Sequence, residues 1–306
     1  MKMLAIVIPF YKIKFFEETI ASLEKQTNDN FNVYIGNDNS PEDPEEIIDS
    51  FRKDLDITYK KFRDNLGGNS LSAHWERCIE MTGEEEWIMV LGDDDVLQDN
   101  VISSWYDHLD LFISKTNLVR FSSKLISGTG EEISGNFHHP TWETAPDAYF
   151  RKHQNITRSS LPEYIFSKEA FQKQGFHDFP LAWHSDDRAW LEFAGNLPIY
   201  TINEATVLIR VSPASISGNN ENVHQKTQAT KEFLEYLILK KLSVFTREQA
   251  FILIRSYENF LEKNDKNTFR ERLLLLFIYL KNYESRSFKT FLKRSLKSLM
   301  KPHQKK

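Results

Sequence analysis

The first third of the chain alternates between short apolar runs and amphipathic stretches. The run 4–8 is continuously apolar and ends at Pro9, a pattern typical of a strand buried on both faces. The stretch 15–26 instead spaces its apolar residues as one face of a helix does. The alternation continues with predicted strands at 31–35, 57–62 and 86–91 and predicted helices at 44–51 and 71–81. This order predicts an α/β fold with a mostly parallel sheet covered by helices on both faces.

The pattern changes twice further along the chain. Short apolar runs at 118–121 and 207–211 predict two more strands in an otherwise irregular middle region. From residue 226 onward, apolar residues recur at helical spacing almost to the end. We therefore predict an α/β domain 1–215, with a first half 1–100 and a second half 101–215, followed by a helical C-terminal region 216–306.

Composition and charge exclude several classes of protein. The 306 residues are 40% hydrophobic, so the chain can bury a full core and is not disordered. Cys78 is the single cysteine, which excludes an internal disulfide and a cysteine-rich zinc site. The last 21 residues carry eight Lys and Arg and no acid, which leaves −13 on the preceding 285 residues. Such an acidic body is a poor general binder of nucleic acid, so we expect no nucleic-acid partner.

No segment of the sequence predicts a membrane span. The first apolar run is interpreted as a buried strand rather than a signal segment, because Pro9 and Tyr11 end it early. The longest late apolar run, 273–280, has eight residues, whereas a helix that crosses a bilayer needs about 20. We expect a cytoplasmic protein, with any membrane contact peripheral and on the inner face of the cell membrane.

The basic tail 286–306 is the candidate for that contact. Its apolar residues recur at helical spacing opposite Lys and Arg, which favours an interfacial helix on anionic lipid. These apolar residues are Phe288, Phe291, Leu292, Leu296 and Leu299. A solvated, frayed C-terminal helix is the alternative.

Three consecutive carboxylates follow the predicted strand 86–91 directly. Asp93, Asp94 and Asp95 repel one another, so the cluster is costly unless a cation or strong hydrogen-bond donors neutralise it. Oxygen ligands of this kind suit Mg²⁺ or Mn²⁺, which can also bridge a diphosphate. A solvated turn or a helix cap is the structural alternative.

The second acidic feature is Asp38, which follows the second predicted strand. The ends of adjacent parallel strands lie side by side, so Asp38 is expected beside Pro9, Phe10 and Tyr11. An aromatic ring next to a carboxylate can stack on a nucleobase while the carboxylate accepts a ring N–H. An Asx turn is the alternative role for Asp38.

The third acidic feature is the pair Asp186 and Asp187, which precedes an apolar helical stretch. One of the two could cap that helix, or one could act as a general base. A neighbouring like charge raises the pKa of one carboxyl, which would help a base.

The order of these features resembles family 2 glycosyltransferases of the GT-A fold. The resemblance covers about residues 3–215 and rests on six motifs in order. They are Ala5–Tyr11, Thr19–Thr27, Tyr34–Ser40, Asn65–Gly67, Trp87–Leu97, and Gly175-Phe176 with the later Asp186. Phosphate-binding and hydrolase templates such as GxxxxGK[ST], GxGxxG, HExxH and GxSxG are absent from the sequence.

The resemblance implies the fold and the activity. The fold would be that of a nucleotide-diphospho-sugar transferase, with a Rossmann-like sheet. The activity would be metal-dependent transfer of a sugar, with inversion, from a nucleotide diphosphate donor, with UDP as the expected nucleotide. The acceptor would be a hydroxyl of a glycan or of a lipid-linked saccharide, in bacterial surface-polysaccharide synthesis. A non-catalytic sugar-nucleotide or glycan-binding module and a sugar nucleotidyltransferase are the alternatives.

The resemblance also implies roles for the residues on the donor side. Tyr11 would stack on the base, with Pro9 and Phe10 lining the same pocket, and Asp38 would accept the base N–H. Asp93 would lie near the ribose, Asp94 would be the main ligand of Mn²⁺ or Mg²⁺, and Asp95 would assist it.

This chain departs from the family pattern at two positions. Gly92 stands where the family usually has the first Asp of its acidic motif, which changes the expected ligand set. Arg210 matches the family's late Arg, but the His that often follows two residues later is Ser212 here. For the catalytic base, the alignment that keeps the Trp, Leu and Ala matches selects Asp186, and a shift by one residue selects Asp187.

Overall fold

The computed structural model describes residues 2–213, 215, 218, 222–264, 268–282 and 288–294. The chain divides into two compact units, 1–229 and 230–306. The predicted boundary at residue 215 therefore differs from the division of the fold by a short stretch. The roles that the resemblance implies for the two halves of the first domain, nucleotide binding for 1–100 and the acceptor side for 101–215, stay predictions.

Nine strands in the described part of the chain form a single sheet. They are β1 (Leu4–Phe10), β2 (Phe31–Asn37), β3 (Ile57–Lys61), β4 (Trp87–Val90), β5 (Val96–Leu97), β6 (Leu118–Ser127), β7 (Trp142–Glu143), β8 (Tyr164–Ser167) and β9 (Ile199–Val211). The spatial order is β3-β2-β1-β4-β8-β6-β9-β5, with β7 also paired to β9. The first four strands are parallel, so their carboxyl ends meet at one edge, as the sequence predicts.

The centre of the sheet contains a strand that the sequence pattern does not reveal. β8 lies between β4 and β6 and runs antiparallel to both. It has only four residues, too few for a periodic signal, and its place is set by pairing with strands far away in the sequence. The sheet is therefore mixed, although most of it is parallel, and the predicted α/β class is confirmed.

Eight helices lie within the first unit among the described residues. They are α1 (Phe16–Glu24), α2 (Glu45–Phe51), α3 (Leu71–Ile79), α4 (Val101–Asp107), α5 (Leu109–Phe112), α6 (Ala145–His153), α7 (Lys168–Gln174) and α8 (Ser185–Phe193). Side-chain caps fix where three of them begin. The hydroxyls of Ser70, Thr144 and Ser167 accept from the amides three residues later, at the starts of α3, α6 and α7.

The core forms where the apolar faces of these helices meet the sheet. β1 is buried almost throughout, as the continuous apolar run 4–8 predicts for a central strand. Phe16, Ile20 and Leu23 of α1 are buried together against it. This packing holds the carboxyl ends of β1, β2 and β4 in fixed positions, and those ends carry the acidic residues described below.

The second unit is helical among its described residues. α9 (Val223–Tyr236) leads into it, and α10 (Arg247–Lys263) and α11 (Phe269–Lys281) follow, with residues 288–294 also helical. The side chains of Thr246 and Gln249 form a reciprocal capping box at the start of α10. None of the described helices is long and apolar enough to cross a membrane.

The described part of the basic tail, residues 288–294, packs on α10 and α11 within the second unit. The ring of Phe291 is buried and stacks on Tyr279, with 4.5 Å between the ring centroids. Arg294 donates from Nε to Glu258 Oε1 at 2.8 Å. Phe291 therefore does not belong to an exposed apolar face, contrary to the sequence-based expectation. The rest of the tail, residues 286, 287 and 295–306, lies outside the described residues.

Candidate active site

The carboxyl ends of β1 and β2 meet through Asp38 and Tyr11. The amide of Asp38 donates to the carbonyl of Phe10 at 3.0 Å, and the hydroxyl of Ser40 donates to the carbonyl of Tyr11 at 2.7 Å. Tyr11 is exposed at this rim, so its ring is available to stack on a ligand. The sequence therefore placed Asp38 beside the end of the first strand correctly.

The side chain of Phe10 is buried, whereas that of the neighbouring Tyr11 is exposed. The Phe10 ring is fully buried and packs on Phe16, with 4.6 Å between the centroids. The side chain belongs to the core, so the expectation that it lines a base pocket is corrected. Pro9 is only partly buried and stays a candidate for that role.

Asp38 is anchored by the loop that follows β3. Its two carboxylate oxygens accept from the amides of Leu66 and Gly67, each at 2.9 Å, and Arg77 of α3 donates to Oδ1. Burial raises the pKa of Asp38 above its ordinary value, although these hydrogen bonds and the guanidinium favour the charged form. A Cβ on Gly67 would lie 2.6 Å from Oδ2, so only glycine allows this close approach.

Arg77 is a site residue that the sequence analysis did not identify. Besides Asp38 it contacts Asp64, at 3.1 Å from Nη1, and its Cζ lies 4.0 Å above the ring of Phe62. Helical spacing on α3 gives no signal for this role, because the partner carboxylate is 39 residues away in the sequence. Arg77 brings a cation to the edge of the rim.

Asp93 ties the end of β4 to the end of β1. Its Oδ2 accepts from the backbone amides of Tyr11 and Lys12 at 2.8 and 2.7 Å. Burial raises the pKa of Asp93 to about 6, while these two amides favour its ionised form. The ring of Tyr11 and the carboxylates Asp38 and Asp93 are therefore held at one rim of the sheet.

Asp94 and Asp95 extend the rim toward β9. The Oδ1 atom of Asp95 accepts from the backbone amide of Arg210 at 2.9 Å. Burial raises the pKa of Asp94, and burial together with the charge of Asp94 holds the pKa of Asp95 well above its ordinary value. A Cβ built on Gly92 would lie 2.7 Å from Asp95 Oδ2 and 3.1 Å from Asp94 Oδ1. The absence of a side chain at Gly92 therefore leaves room that the carboxylates of Asp94 and Asp95 approach.

Arg210 holds this acidic loop from the side. Its Nε donates to the carbonyl of Asp94 at 2.8 Å, and Nη1 donates to the carbonyl of Ser127 at 3.2 Å. Its Cζ lies 4.3 Å above the ring of Phe15, and its Nη2 pairs with Glu18. Arg210 is nearly fully buried, so it fixes the position of the loop rather than acting as a mobile surface charge.

The carboxylates at the rim suit a metal ion that binds together with substrate phosphates. Among the described residues no group of three or more His, Cys, Asp and Glu is arranged to hold a metal ion. Carboxylate oxygens of Asp94 and Asp95 both approach the space beside Gly92. Mg²⁺ and similar ions commonly bind through one or two carboxylates together with substrate phosphates, so this pair suits a metal that arrives with a diphosphate.

The acidic pair at the start of α8 is strongly asymmetric. Asp187 is buried, with Lys152 Nζ 2.5 Å from Oδ1 and His184 Nδ1 2.8 Å from Oδ2. Burial opposes its ionisation, but the ammonium and the imidazole outweigh burial and hold the pKa of Asp187 far below its ordinary range. Asp187 is thus an ionised member of a fixed charge cluster.

Asp186 has a different environment. It is only partly buried, and its Oδ1 accepts from the amide of Asp187 at 2.8 Å. Burial and the adjacent charge of Asp187 raise the pKa of Asp186 to about 6. Of the two candidates for a base, Asp186 is the one with an accessible carboxylate and a pKa near neutrality.

The helix that carries this pair packs beside the strand next to β4. Trp190 of α8 stacks on Tyr164 of β8, with 4.2 Å between the ring centroids. β8 pairs with β4, the strand whose end carries the acidic loop. The fold therefore supports α8 from the same part of the sheet that supports Asp93, Asp94 and Asp95.

Comparison with known proteins agrees with this geometry. The family model described as glycosyl transferase family 2 matches residues 5–117, which contain Tyr11, Asp38 and the acidic loop. No curated protein matches the chain. The mostly parallel sheet and the family match agree with an α/β fold of GT-A type. The sequence match places the segment 5–117 in glycosyltransferase family 2 and confirms the resemblance seen in the sequence.

Several solved structures share the fold. A crystal structure of S. aureus TarS 1-349 in complex with UDP is 15% identical, covers 96% of this chain and 91% of that chain, and has a TM-score of 0.57. The complex with UDP-GlcNAc is 12% identical, covers 93% of this chain and 82% of that chain, and has a TM-score of 0.64. A longer TarS structure is 13% identical with a TM-score of 0.62, and this chain spans 50% of its length and is itself covered to 93%.

Proposed function

We propose that this protein is a glycosyltransferase that moves a sugar from a nucleotide diphosphate donor to a hydroxyl group of an acceptor. The observation that carries the proposal is the junction of Tyr11, Asp38 and Asp93 at one rim, within the segment that matches the family. An exposed ring beside anchored carboxylates suits recognition of a nucleoside at the edge of a parallel sheet.

The donor in this proposal is a UDP-sugar. Two of the similar solved structures are of S. aureus TarS 1-349, one in complex with UDP and one with UDP-GlcNAc. Tyr11 would stack on the base, and the loop anchored by Asp38 would present its polar groups to the base edge. Asp93 would lie near the ribose, where its second oxygen, Oδ1, can accept a hydrogen bond from a ribose hydroxyl.

Asp94 and Asp95 would hold Mn²⁺ or Mg²⁺ together with the donor diphosphate. When bound, the metal supplies positive charge to the diphosphate that leaves. Burial raises the pKa of Asp94, and the charges of Lys12 and Arg210 oppose that rise, so both cations act at this loop. Arg210 would keep the loop in place while the donor binds.

Transfer would proceed by direct displacement with inversion. Asp186 would take the proton of the acceptor hydroxyl as that oxygen attacks from the face opposite the diphosphate. Asp187 would stay ionised in its pair with Lys152 and keep the charge next to Asp186 constant. No covalent intermediate with the enzyme is required.

The acceptor in this proposal is a glycan or a lipid-linked saccharide of surface-polysaccharide synthesis, on the cytoplasmic side of the membrane. The basic tail 286–306 would hold the protein near anionic lipid. Its described part, 288–294, contributes Lys289 and Lys293, while Phe291 and Arg294 are engaged within the second unit.

A two-part experiment tests this function. A thermal-shift screen of nucleotide diphosphate sugars, with and without Mn²⁺, should show stabilisation by UDP-sugars that increases with the metal. Release of labelled sugar from the stabilising donor should then distinguish an enzyme from a module that only binds. Binding without any transfer or hydrolysis would support the non-catalytic alternative, and absence of binding by any sugar nucleotide would reject both.

A further inference from the structure

The second unit exposes an apolar surface that its own core does not use. Four large apolar side chains of α11 face outward, which we call the α11 stripe. They are Phe269 at 76% exposure, Leu273 at 50%, Phe277 at 60% and Leu280 at 50%. Their spacing of four, four and three residues places them on one face of the helix.

The opposite face of α11 is already packed. Leu275, Ile278 and Tyr279 are buried, and Glu271 is buried next to Lys231, whose Nζ lies 3.2 Å from Oε1. The helix is therefore apolar on two sides, with one side in the core of its unit and one side exposed. Contiguous apolar surface of this kind usually marks a contact with another molecule or with lipid.

The charges of α11 indicate which kind of molecule contacts the α11 stripe. Its charged residues outside the core are Arg270, Arg272 and Lys281, all basic, while Glu271 is its single acid and points inward. Lys289 and Lys293 follow in the described segment 288–294, and no acid occurs in the sequence from Arg286 to the end. An apolar stripe on a helix whose own charged residues outside the core are all basic is complementary to the headgroups and acyl chains of an anionic membrane.

A second copy of this chain fits the stripe less well. Arg270 and Lys281 stand at the two ends of α11 and are both exposed. Two stripes packed side by side, in either direction, would bring like charges together at both ends of the contact. Lipid headgroups would instead neutralise these charges.

We propose that the α11 stripe is a membrane-docking surface that inserts Phe269, Leu273, Phe277 and Leu280 into the interface of an anionic lipid bilayer. The proposal moves the apolar part of the membrane contact from the tail 286–306 to α11 and leaves the tail an electrostatic role. It does not depend on the proposed transfer reaction, because docking requires neither donor nor acceptor sugar.

The test is cosedimentation of the full chain with vesicles of phosphatidylcholine, prepared with and without phosphatidylglycerol. The wild-type protein should pellet with the anionic vesicles, and binding should weaken as salt increases. The double variant Phe269→Gln/Phe277→Gln should bind about tenfold more weakly or worse. The control Leu111→Gln/Ile156→Gln changes side chains of similar exposure, 52% and 67%, in the first unit and should bind as the wild type does.

Two further measurements make the outcome decisive. A second variant, Leu273→Gln/Leu280→Gln, should weaken binding as well, and thermal unfolding should show that both stripe variants remain folded. Equal pelleting of the wild type and the folded stripe variants would overturn the proposal. Failure of the wild type to pellet with anionic vesicles would overturn it too. Self-association of the wild type in sedimentation velocity that disappears in the stripe variants would also overturn it, in favour of a second copy.

Discussion

The ammonium nitrogen of Lys152 lies 2.5 Å from Oδ1 of Asp187, joining α6 to the start of α8. The imidazole of His184 approaches the other oxygen of the same carboxylate at 2.8 Å. These contacts separate two adjacent carboxyls into an ionised structural group, Asp187, and a partly accessible group, Asp186, whose pKa is raised to about 6. The separation gives the two residues different expected mutant phenotypes.

The first prediction compares Asp186→Asn with Asp187→Asn. Loss of the base should reduce kcat of Asp186→Asn by about several hundredfold, with donor binding retained. Asp187→Asn removes the charge that compensates Lys152 and should cost about 3 kcal/mol of unfolding free energy. Steady-state kinetics and urea unfolding of both variants provide the check. Full turnover by Asp186→Asn, with loss of turnover in a folded Asp187→Asn, would move the base to Asp187.

The second prediction concerns pH. Asp186 must be ionised to accept a proton, and burial and Asp187 raise its pKa to about 6, so kcat/KM should fall as pH drops through about 6. Lys152→Met removes a cation that favours the ionised form of Asp186, so its pKa should rise further. The acidic limb of the pH–rate profile should then move to higher pH. An unchanged acidic limb in a folded Lys152→Met variant would show that the ionisation of Asp186 does not control kcat/KM.

The third prediction tests whether Asp38 is a structural anchor of the 65–67 loop. Asp38→Asn weakens its bond to Arg77 and turns an amide donor toward one of the two loop amides, so stability should fall by about 2 kcal/mol. Asp64→Asn is the matched control, since Asp64 contacts the same guanidinium but is exposed. Its stability should change by about 0.5 kcal/mol or less. Equal stability of the wild type and Asp38→Asn would show that the anchor contributes little.

The fourth prediction concerns the metal. Asp94→Ala should abolish the Mn²⁺-dependent part of UDP binding measured by calorimetry, and a chelator should do the same to the wild type. Asp107→Ala removes an exposed carboxylate from α4 and should leave the metal dependence intact. Undiminished UDP binding by the wild type in the presence of chelator would argue for a metal-independent site.

The fifth prediction reverses the departure from the family motif. Gly92→Asp places a Cβ 2.7 Å from Asp95 Oδ2 and adds a fourth negative charge to the cluster. We expect the variant to lose about 2 kcal/mol of stability and to bind Mn²⁺ with UDP no more tightly than the wild type. Gly135→Asp is the control for added charge, because a Cβ there meets no atom within 4 Å. A stable, tighter-binding Gly92→Asp would show that the loop can rearrange.

Much of the first unit could be predicted from the sequence because its signals are local. The apolar run 4–8, the helical spacing of 15–26 and the Asp residues at strand ends each depend on neighbours a few positions away. The strand β8 is missed by the sequence pattern, since its place is set by pairing with strands far away in the sequence. The side chains of Phe10 and Phe291 are misassigned, since each packs on an aromatic ring of another element, Phe16 and Tyr279 respectively, and hydrophobic spacing does not reveal such contacts.

The sequence by itself determined the α/β alternation and the presence of acidic residues after β2, after β4 and in what the structure shows to be the first turn of α8. Only the tertiary structure decided which of those carboxylates are anchored and which are accessible. Asp38 meets Arg77, Asp95 meets the amide of Arg210, and Asp187 meets Lys152 through contacts that span 39, 115 and 35 residues. Hydrophobic periodicity carries no information over such separations, because the partners are brought together by strand order and helix packing rather than by local propensity.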